Sequence, residues 1–141
     1  MGLAGGESLF GLGAFRDYVA RGALDIVQPD LALCGGFSEG LRIAALCSAF
    51  GVPLIPHVWG TGINFCAALQ FIAILPGSRG PGVDYPLFEF DPSPNPLRDA
   101  FGRFAVASEG HVPVPSGPGL GIEIDPRQLE PLVTGRWTIE G

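Results

Sequence analysis

The chain has 141 residues, with 14 acidic side chains against 8 basic ones, and all eight basic residues are arginine. The absence of lysine excludes a P-loop lysine, a Schiff-base lysine and a lysine general base supplied by this chain. A net charge of -6 with scattered arginines argues against nucleic acid as a partner, whereas 47% hydrophobic residues suffice for the core of one domain.

Neither a membrane span nor a disulfide framework is expected. The longest apolar stretch, residues 63–75, is interrupted by Asn64 and Gln70. It is also shorter than the roughly 20 residues that a membrane-spanning helix needs. The three cysteines lack the CxxC spacing and are odd in number, which is typical of reduced core thiols. We therefore expect a cytoplasmic protein that has no membrane partner.

From its start to about residue 90 the chain alternates short apolar runs with segments of helical periodicity. This alternation is typical of strand-helix-strand units in a parallel sheet. The predicted strands are residues 3–6, 23–28, 53–56 and 86–90. The predicted helices are residues 13–21, 37–50 and 63–75. After residue 91 several prolines exclude a continuing helix, so we predict a loop-rich tail with short strands near 112–114 and 121–124.

The first two helices have predicted buried faces. The second should begin at an N-cap, Ser38, and end at Gly51. Its predicted apolar stripe consists of Leu41, Ala44, Ala45 and Leu46. The predicted inward face of the first helix consists of Phe15, Tyr18 and Val19.

Each of the four predicted strands ends in one ionisable residue, and these are Glu7, Asp30, His57 and Glu89. Their separations of 23, 27 and 32 residues are close to the roughly 30 residues that one unit of a (β/α)8 barrel occupies. The carboxyl ends of barrel strands converge on one active site. The spacing therefore predicts that the four side chains share a pocket.

Asp30 and His57 are predicted to form a dyad. One repeat apart, they lie on neighbouring strand ends, where a carboxylate can accept the imidazole N–H and make His57 a general base near neutrality. The other histidine, His111, lies in the loop-rich tail and is interpreted as solvated.

The two glutamates each have a functional and an ordinary interpretation. Glu7 follows two glycines, and its carboxylate suits an oxygen-seeking cation such as Mg²⁺, although an exposed loop glutamate is an equal alternative. Glu89 has apolar neighbours, so a buried Glu89 would be favoured in its protonated form and could donate to an oxyanion. The alternative is a strand glutamate that faces outward.

Three rival sites match the sequence poorly. The order Ser8, Asp30, His57 is that of α/β-hydrolases, but Phe10 stands where the nucleophile elbow needs glycine. The glycine-rich residues 117–121 have neither a following helix nor a lysine, so we interpret them as a tight loop and not a phosphate loop. Two histidines without a third ligand at suitable spacing make a zinc site improbable.

Together, six motifs resemble the C-terminal half of the mandelate racemase/muconate lactonising enzyme family of the enolase superfamily. The motifs are Gly6-Glu7-Ser8, Asp25-Ile26-Val27-Gln28-Pro29-Asp30, Cys34-Gly35-Gly36, Val52-Pro53-Leu54-Ile55-Pro56-His57, Phe88-Glu89 and Gly117-Pro118-Gly119-Leu120-Gly121. The motifs His57-Val58-Trp59-Gly60 and Asn95-Pro96-Leu97-Arg98 look most like the acid-sugar branch, which includes dehydratases and galactarolactone cycloisomerases.

The resemblance implies a Mg²⁺-dependent enzyme that abstracts the proton alpha to the carboxylate of a sugar acid or its lactone. Dehydration, racemisation or cycloisomerisation would follow through an enediolate. In this scheme Glu7 is the third carboxylate ligand of Mg²⁺, and His57 is the base or acid on one face of the substrate. Asp30 orients His57, and Glu89 hydrogen-bonds the substrate carboxylate as it becomes an enediolate.

Members of this family also carry a capping domain and a first half-barrel, with two more metal carboxylates and a lysine base, none of which this sequence contains. The expected fold is therefore α/β: residues 1–91 form the C-terminal half of a (β/α)8-type barrel, about four βα units. Residues 92–141 form an extended tail that would pack on the missing capping domain.

A half-barrel exposes sheet edges and one apolar face. We therefore expect a homo-oligomer, or association with the missing N-terminal half. A non-catalytic, self-associating fragment is the alternative function.

Overall fold

The computed structural model describes residues 1–75, 86–102, 104–107 and 109–139. Strands and helices alternate through the first half: β1 Ala4–Gly5, α1 Gly11–Ala20, β2 Ile26–Val27, α2 Gly36–Phe50 and α3 Gly62–Ala73. Two single-turn helices, α4 Pro96–Asp99 and α5 Pro126–Leu129, and a 3-10 turn, Glu130–Leu132, follow. None of the helices within these described ranges has the length and apolar character that a membrane-spanning helix needs.

The strands are parallel, as predicted, but much shorter. β1 pairs with β2 in parallel register. The predicted strand at residues 53–56 contacts β2 and its extension only through isolated parallel bridges, Val27 to Leu54 and Asp30 to His57. Pro29 explains the interruption, since it has no N–H to donate between the two bridges, although its carbonyl accepts from His57 N.

The predicted strand at residues 86–90 is wrong over most of its length. Only Pro86 is a bridge residue, and residues 87–90 form no strand. The short strands predicted near residues 112–114 and 121–124 are also absent from the described tail. Instead α4 begins at Pro96, which is tolerated because the first helical N–H has no partner within the helix, and Asn95 caps Arg98 N–H.

Helix α2 begins earlier than predicted and packs through a different face. Gly35 is its N-cap, so Ser38 lies within the helix, whereas Gly51 ends it as predicted, with a φ of 68°. Its buried residues are Gly40, Ile43 and Cys47. The predicted stripe is wrong: Leu41 and Ala45 are exposed, and Ala44 and Leu46 are half-buried.

The small size of Gly40 explains which face of α2 packs against the core. A Cβ at Gly40 would lie 2.9 Å from Leu31 Cδ2 and 3.1 Å from Phe71 Cε2, so the helix approaches its neighbours at its smallest residue. In α1, Phe15 and Val19 are buried as predicted, but Tyr18 is exposed.

Two apolar clusters make up the core. The larger one joins α1, α2, α3 and the strands and contains Phe15, Val27, Ile43 and Phe71. The smaller one surrounds Phe65 of α3. All three cysteines are buried and free, and burial raises the pKa of Cys47 and Cys66 to about 11. These two thiols therefore stay protonated near neutral pH, which suits the predicted core role.

Among the glycines of the described residues, Gly62 leaves the least space for a side chain. A Cβ added there would lie 2.5 Å from Phe101 Cβ and 2.9 Å from Arg98 O. We expect Gly62→Ala to lower the free energy of unfolding by roughly 1–3 kcal/mol through overpacking, measured from the urea midpoint of the full-length protein. The control is Gly13→Ala in α1, where a Cβ meets nothing within 4 Å and helix propensity should slightly stabilise the protein. Equal shifts in both variants would contradict this prediction.

Candidate active site

Asp30 and His57 form the predicted contact at the ends of neighbouring segments. They are parallel bridge partners, and His57 N donates to Pro29 O at 3.1 Å, which sets their register. The two side chains meet with Asp30 Oδ2 2.9 Å from His57 Nδ1. Because an ionised carboxylate only accepts hydrogen bonds, Nδ1 carries the proton in this contact. Asp30 is buried, and Ala32 N donates to its Oδ1 at 2.8 Å.

Glu7 lies on the other side of the imidazole. Its Oε2 is 3.1 Å from His57 Nε2, and its side chain is 61% exposed. The chain reaches Glu7 through Gly6, whose φ of 116° favours glycine. A Cβ at Gly6 would also lie 2.9 Å from Phe15 Cε1. The end of β1 therefore places this carboxylate beside the dyad.

Both ring nitrogens of His57 thus face carboxylate oxygens. A neutral imidazole has one N–H, so both contacts are hydrogen bonds only when the ring is an imidazolium ion. In the neutral ring Nε2 offers a lone pair, and the exposed Glu7 carboxylate has room to turn away. The arrangement therefore assigns the Nδ1 proton to the contact with Asp30 and leaves Nε2 facing Glu7.

Glu89 approaches the same region from a later segment. Val58 N donates to Glu89 Oε2 at 3.3 Å, so Glu89 contacts the residue that follows His57. Its neighbours Phe88 and Phe90 point elsewhere, with ring centroids 5.2 and 5.8 Å from that of Phe65. Glu89 itself is half-buried. The segment directs its aromatic rings into the core and the carboxylate to the backbone N–H of Val58, next to His57, without forming the predicted strand.

Two residues outside the predicted set also contact this region. Asn64 of α3 donates through Nδ2 to Asp30 Oδ1 at 3.1 Å and to Trp59 O at 3.2 Å. Asn95 Nδ2 donates to Gly60 O at 2.8 Å. The available sequence signal for Asn64 was one of two side-chain amides, with Gln70, in an otherwise apolar helix.

The described residues do not form a complete Mg²⁺ site. Glu7 offers a suitable oxygen donor, and Mg²⁺ requires near-octahedral coordination. Within the part of the chain that the structure describes, no three His, Cys, Asp or Glu side chains are grouped so that they could hold a metal ion. Glu7 can therefore supply at most one ligand of a site that other groups complete.

The structure does not support the rival sites. Ser8 is exposed, and Glu7 and Asp30, not Ser8, face the two nitrogens of His57, which disfavours a serine nucleophile. Residues 117–121 form a tight loop, as predicted, closed by Gly121 N donating to Pro118 O at 3.0 Å. His111 is exposed, with Nδ1 3.9 Å from Glu109 Oε2.

Comparisons with known proteins agree with the motifs. The model of the enolase C-terminal domain-like family matches residues 1–128. The chain is 47% identical over 125 residues to D-galactarolactone cycloisomerase from Agrobacterium fabrum, covering 87% of this chain and 33% of that protein. It is 33% identical over 123 residues to arabinonate dehydratase from Saccharolobus solfataricus, covering 86% of this chain and 31% of that protein.

Solved structures give the same result. A member of the enolase superfamily from Polaromonas sp. JS666 superposes with a TM-score of 0.80 at 35% identity, covering 93% of this chain and 33% of that one. The chain spans about a third of the length of the relatives it matches. The matched part has the α/β fold of the C-terminal half of a TIM barrel, as predicted. The chain therefore belongs to the enolase C-terminal domain-like family, and the predicted resemblance to the mandelate racemase/muconate lactonising enzymes is confirmed.

Proposed function

We propose that this chain forms the histidine side of an active site that removes the proton alpha to the carboxylate of a sugar acid or its lactone. The observation that carries the proposal is the 2.9 Å contact between His57 Nδ1 and Asp30 Oδ2, with Glu7 beside Nε2. The named sugar-acid dehydratase and cycloisomerase relatives support the substrate class. The remaining groups of the site, including a lysine base, would come from residues outside these 141.

His57 is the proposed base or acid at the substrate alpha carbon. The C–H proton would pass to Nε2 while Nδ1–H remains on Asp30, so the ring becomes an imidazolium ion whose charge the buried carboxylate stabilises. The same nitrogen can return the proton to carbon or to a leaving hydroxyl group. Racemisation, dehydration or cycloisomerisation then differ in where that proton goes.

Glu89 and Glu7 are the residues that we propose stabilise the negative charge that develops on the enediolate. A protonated Glu89, on the segment next to Val58, would donate to a substrate carboxylate oxygen as the enediolate forms. Glu7 would supply one carboxylate ligand of Mg²⁺. The ion, when bound, would stabilise the enediolate electrostatically.

The function is tested by assaying the full-length protein against arabinonate, gluconate, galactonate and galactarolactone. We expect turnover of at least one compound, loss of that turnover with EDTA, and recovery when Mg²⁺ is restored. Control reactions contain Ca²⁺ in place of Mg²⁺, because Ca²⁺ takes six to eight ligands at longer distances. Turnover that persists in EDTA would contradict the metal-dependent proposal.

A second candidate is a non-catalytic, self-associating chain. Several large apolar side chains that would suit such an interface are exposed, including Leu3 at 60%, Phe10 at 76% and Ile74 at 60%. Two further predictions belong with the enzyme proposal. They are the packing of residues 92–141 on a capping domain and a cytoplasmic location. A stable oligomer that turns over none of the four compounds would favour this second candidate.

A further inference from the structure

Asn64 stands out among the buried residues of the described chain. The buried polar or charged side chains there are Asp30, Asn64 and Arg98. Asn64 is only 8% exposed and lies in the first turns of the most apolar helix, α3. A buried amide costs free energy unless it is hydrogen-bonded. The hydrogen bonds of the Asn64 amide must therefore offset the cost of its burial.

Both contacts of the Asn64 amide lead to the dyad or to the loop beside it. Nδ2 lies 3.1 Å from Asp30 Oδ1 and 3.2 Å from Trp59 O. Both partners are oxygens that only accept, so the amide is oriented with its nitrogen toward them. Each of the two N–H groups thus has its own acceptor. One side chain connects the orienting carboxylate to the backbone two residues after His57.

These contacts determine the orientation of Asp30. Its Oδ1 accepts from Asn64 Nδ2 and from Ala32 N, which leaves Oδ2 directed at His57 Nδ1 at 2.9 Å. Without the Asn64 donor the carboxylate is held at Oδ1 by one hydrogen bond and can rotate about its Cβ–Cγ bond. Rotation would lengthen the contact to the imidazole.

We propose that Asn64 is a positioning residue, which fixes the Asp30 carboxylate and thereby the tautomer and direction of the His57 ring. The effect on catalysis rests on the proposed function, whereas the effect on the His57 ring does not. Replacing a residue that only stabilises the fold would not change the tautomer of His57. It would also not lower kcat selectively while KM stays the same.

The test uses Asn64→Asp and Asn64→Leu in the full-length protein. Asn64→Asp keeps the shape but replaces the donor by a carboxylate oxygen that faces Asp30 Oδ1. The matched control is Gln70→Leu, because Gln70 lies on the same helix and its Nε2 donates to Pro115 O and Leu120 O, outside the site. All three variants lose an amide that donates to two oxygens, so a general loss of stability should affect them alike.

The direct readout is the ¹⁵N-resolved NMR signal of the His57 Nδ1–H. In the unmodified protein we expect a slowly exchanging, low-field signal from this hydrogen bond, assigned by its disappearance in His57→Asn. Asn64→Asp and Asn64→Leu should broaden the signal or move it to higher field, whereas Gln70→Leu should leave it in place. An unchanged signal in folded Asn64→Asp would overturn the proposal.

The kinetic readout follows on the substrate identified in the assay above. We expect kcat to fall roughly 10- to 100-fold in both Asn64 variants with little change in KM, an effect as large as that of losing a partner that orients a metal-binding histidine. Gln70→Leu should keep the kcat of the unmodified protein. If no sugar acid is turned over but the NMR signal still responds to Asn64, the proposed function fails and the positioning role is supported.

Discussion

Replacement of His57 by asparagine is expected to slow exchange of the substrate alpha proton with solvent by roughly 100-fold or more. Asparagine can still hydrogen-bond Asp30, but its amide has no basic nitrogen that could take a proton from carbon. The loss of a positioned general base lowers the rate by roughly 10²- to 10⁴-fold. The measurement is the decay of the alpha-proton NMR signal of the substrate in deuterated water, with the full-length protein and Mg²⁺ present.

The control for this experiment is His111→Asn. His111 is the other histidine of the chain, is exposed, and has its Nδ1 3.9 Å from Glu109 Oε2 in the tail. We expect this variant to exchange the alpha proton at the unmodified rate. Exchange that survives in His57→Asn would remove His57 from the base role for that proton, and a lysine on the opposite face would then be the group to examine.

The dyad could be predicted because its geometry depends on few variables. Consecutive parallel strands end at the same edge of a sheet, so one residue after each strand end suffices to bring Asp30 and His57 together. Glu7 follows from the same rule. The outcome did not depend on long strands, since single bridges and a few ladder bonds set the same register.

Other features could not be predicted because they depend on how separate elements pack. Asn64 was seen only as an interruption of an apolar stretch, since its contact with Asp30 requires α3 to lie over the strand ends. The packing face of α2 depends on the close approach of Phe71 to Gly40, and its start depends on Gly35, whose φ is 115°. Local propensity favoured Ser38 as the cap, but the glycine turn began the helix earlier.

The second large effect is expected at Arg98, which holds the segment after Glu89 in place. Its guanidinium group donates to Asp91 O at 2.6 Å and to Ser93 O at 2.8 Å, and it lies 6.0 Å from the centre of the Phe90 ring. Arg98 is 8% exposed. A buried guanidinium costs free energy unless such partners satisfy its donors, so the contacts and the burial depend on each other.

The same short helix also contacts the loop after His57. Asn95 caps α4 by accepting from Arg98 N at 3.1 Å, and its Nδ2 donates to Gly60 O at 2.8 Å. The helix α4 therefore connects the Glu89 segment with the loop that follows His57. Displacement of α4 would move both sides of the candidate site at once.

Arg98→Met keeps an apolar stem of similar length but removes the charged donors. We expect the free energy of unfolding to fall by roughly 2–4 kcal/mol, because two carbonyl groups lose charge-assisted hydrogen bonds. The measurement is the urea midpoint of the full-length protein. The control is Arg127→Met, whose side chain is 90% exposed and pairs with Asp125 at the surface, and which should leave the midpoint unchanged.

The two variants separate burial from charge, since each removes one positive charge and two guanidinium hydrogen bonds, buried at Arg98 and exposed at Arg127. A similar midpoint for both would contradict the proposed role of Arg98 in holding α4. If only Arg98→Met lowers the midpoint, turnover at saturating substrate should also be slower. The reason is that α4 contacts both the segment after Glu89 and the loop after His57, and Glu89 accepts from Val58 N between them. Unchanged turnover in that destabilised variant would show that the position of Glu89 does not depend on Arg98.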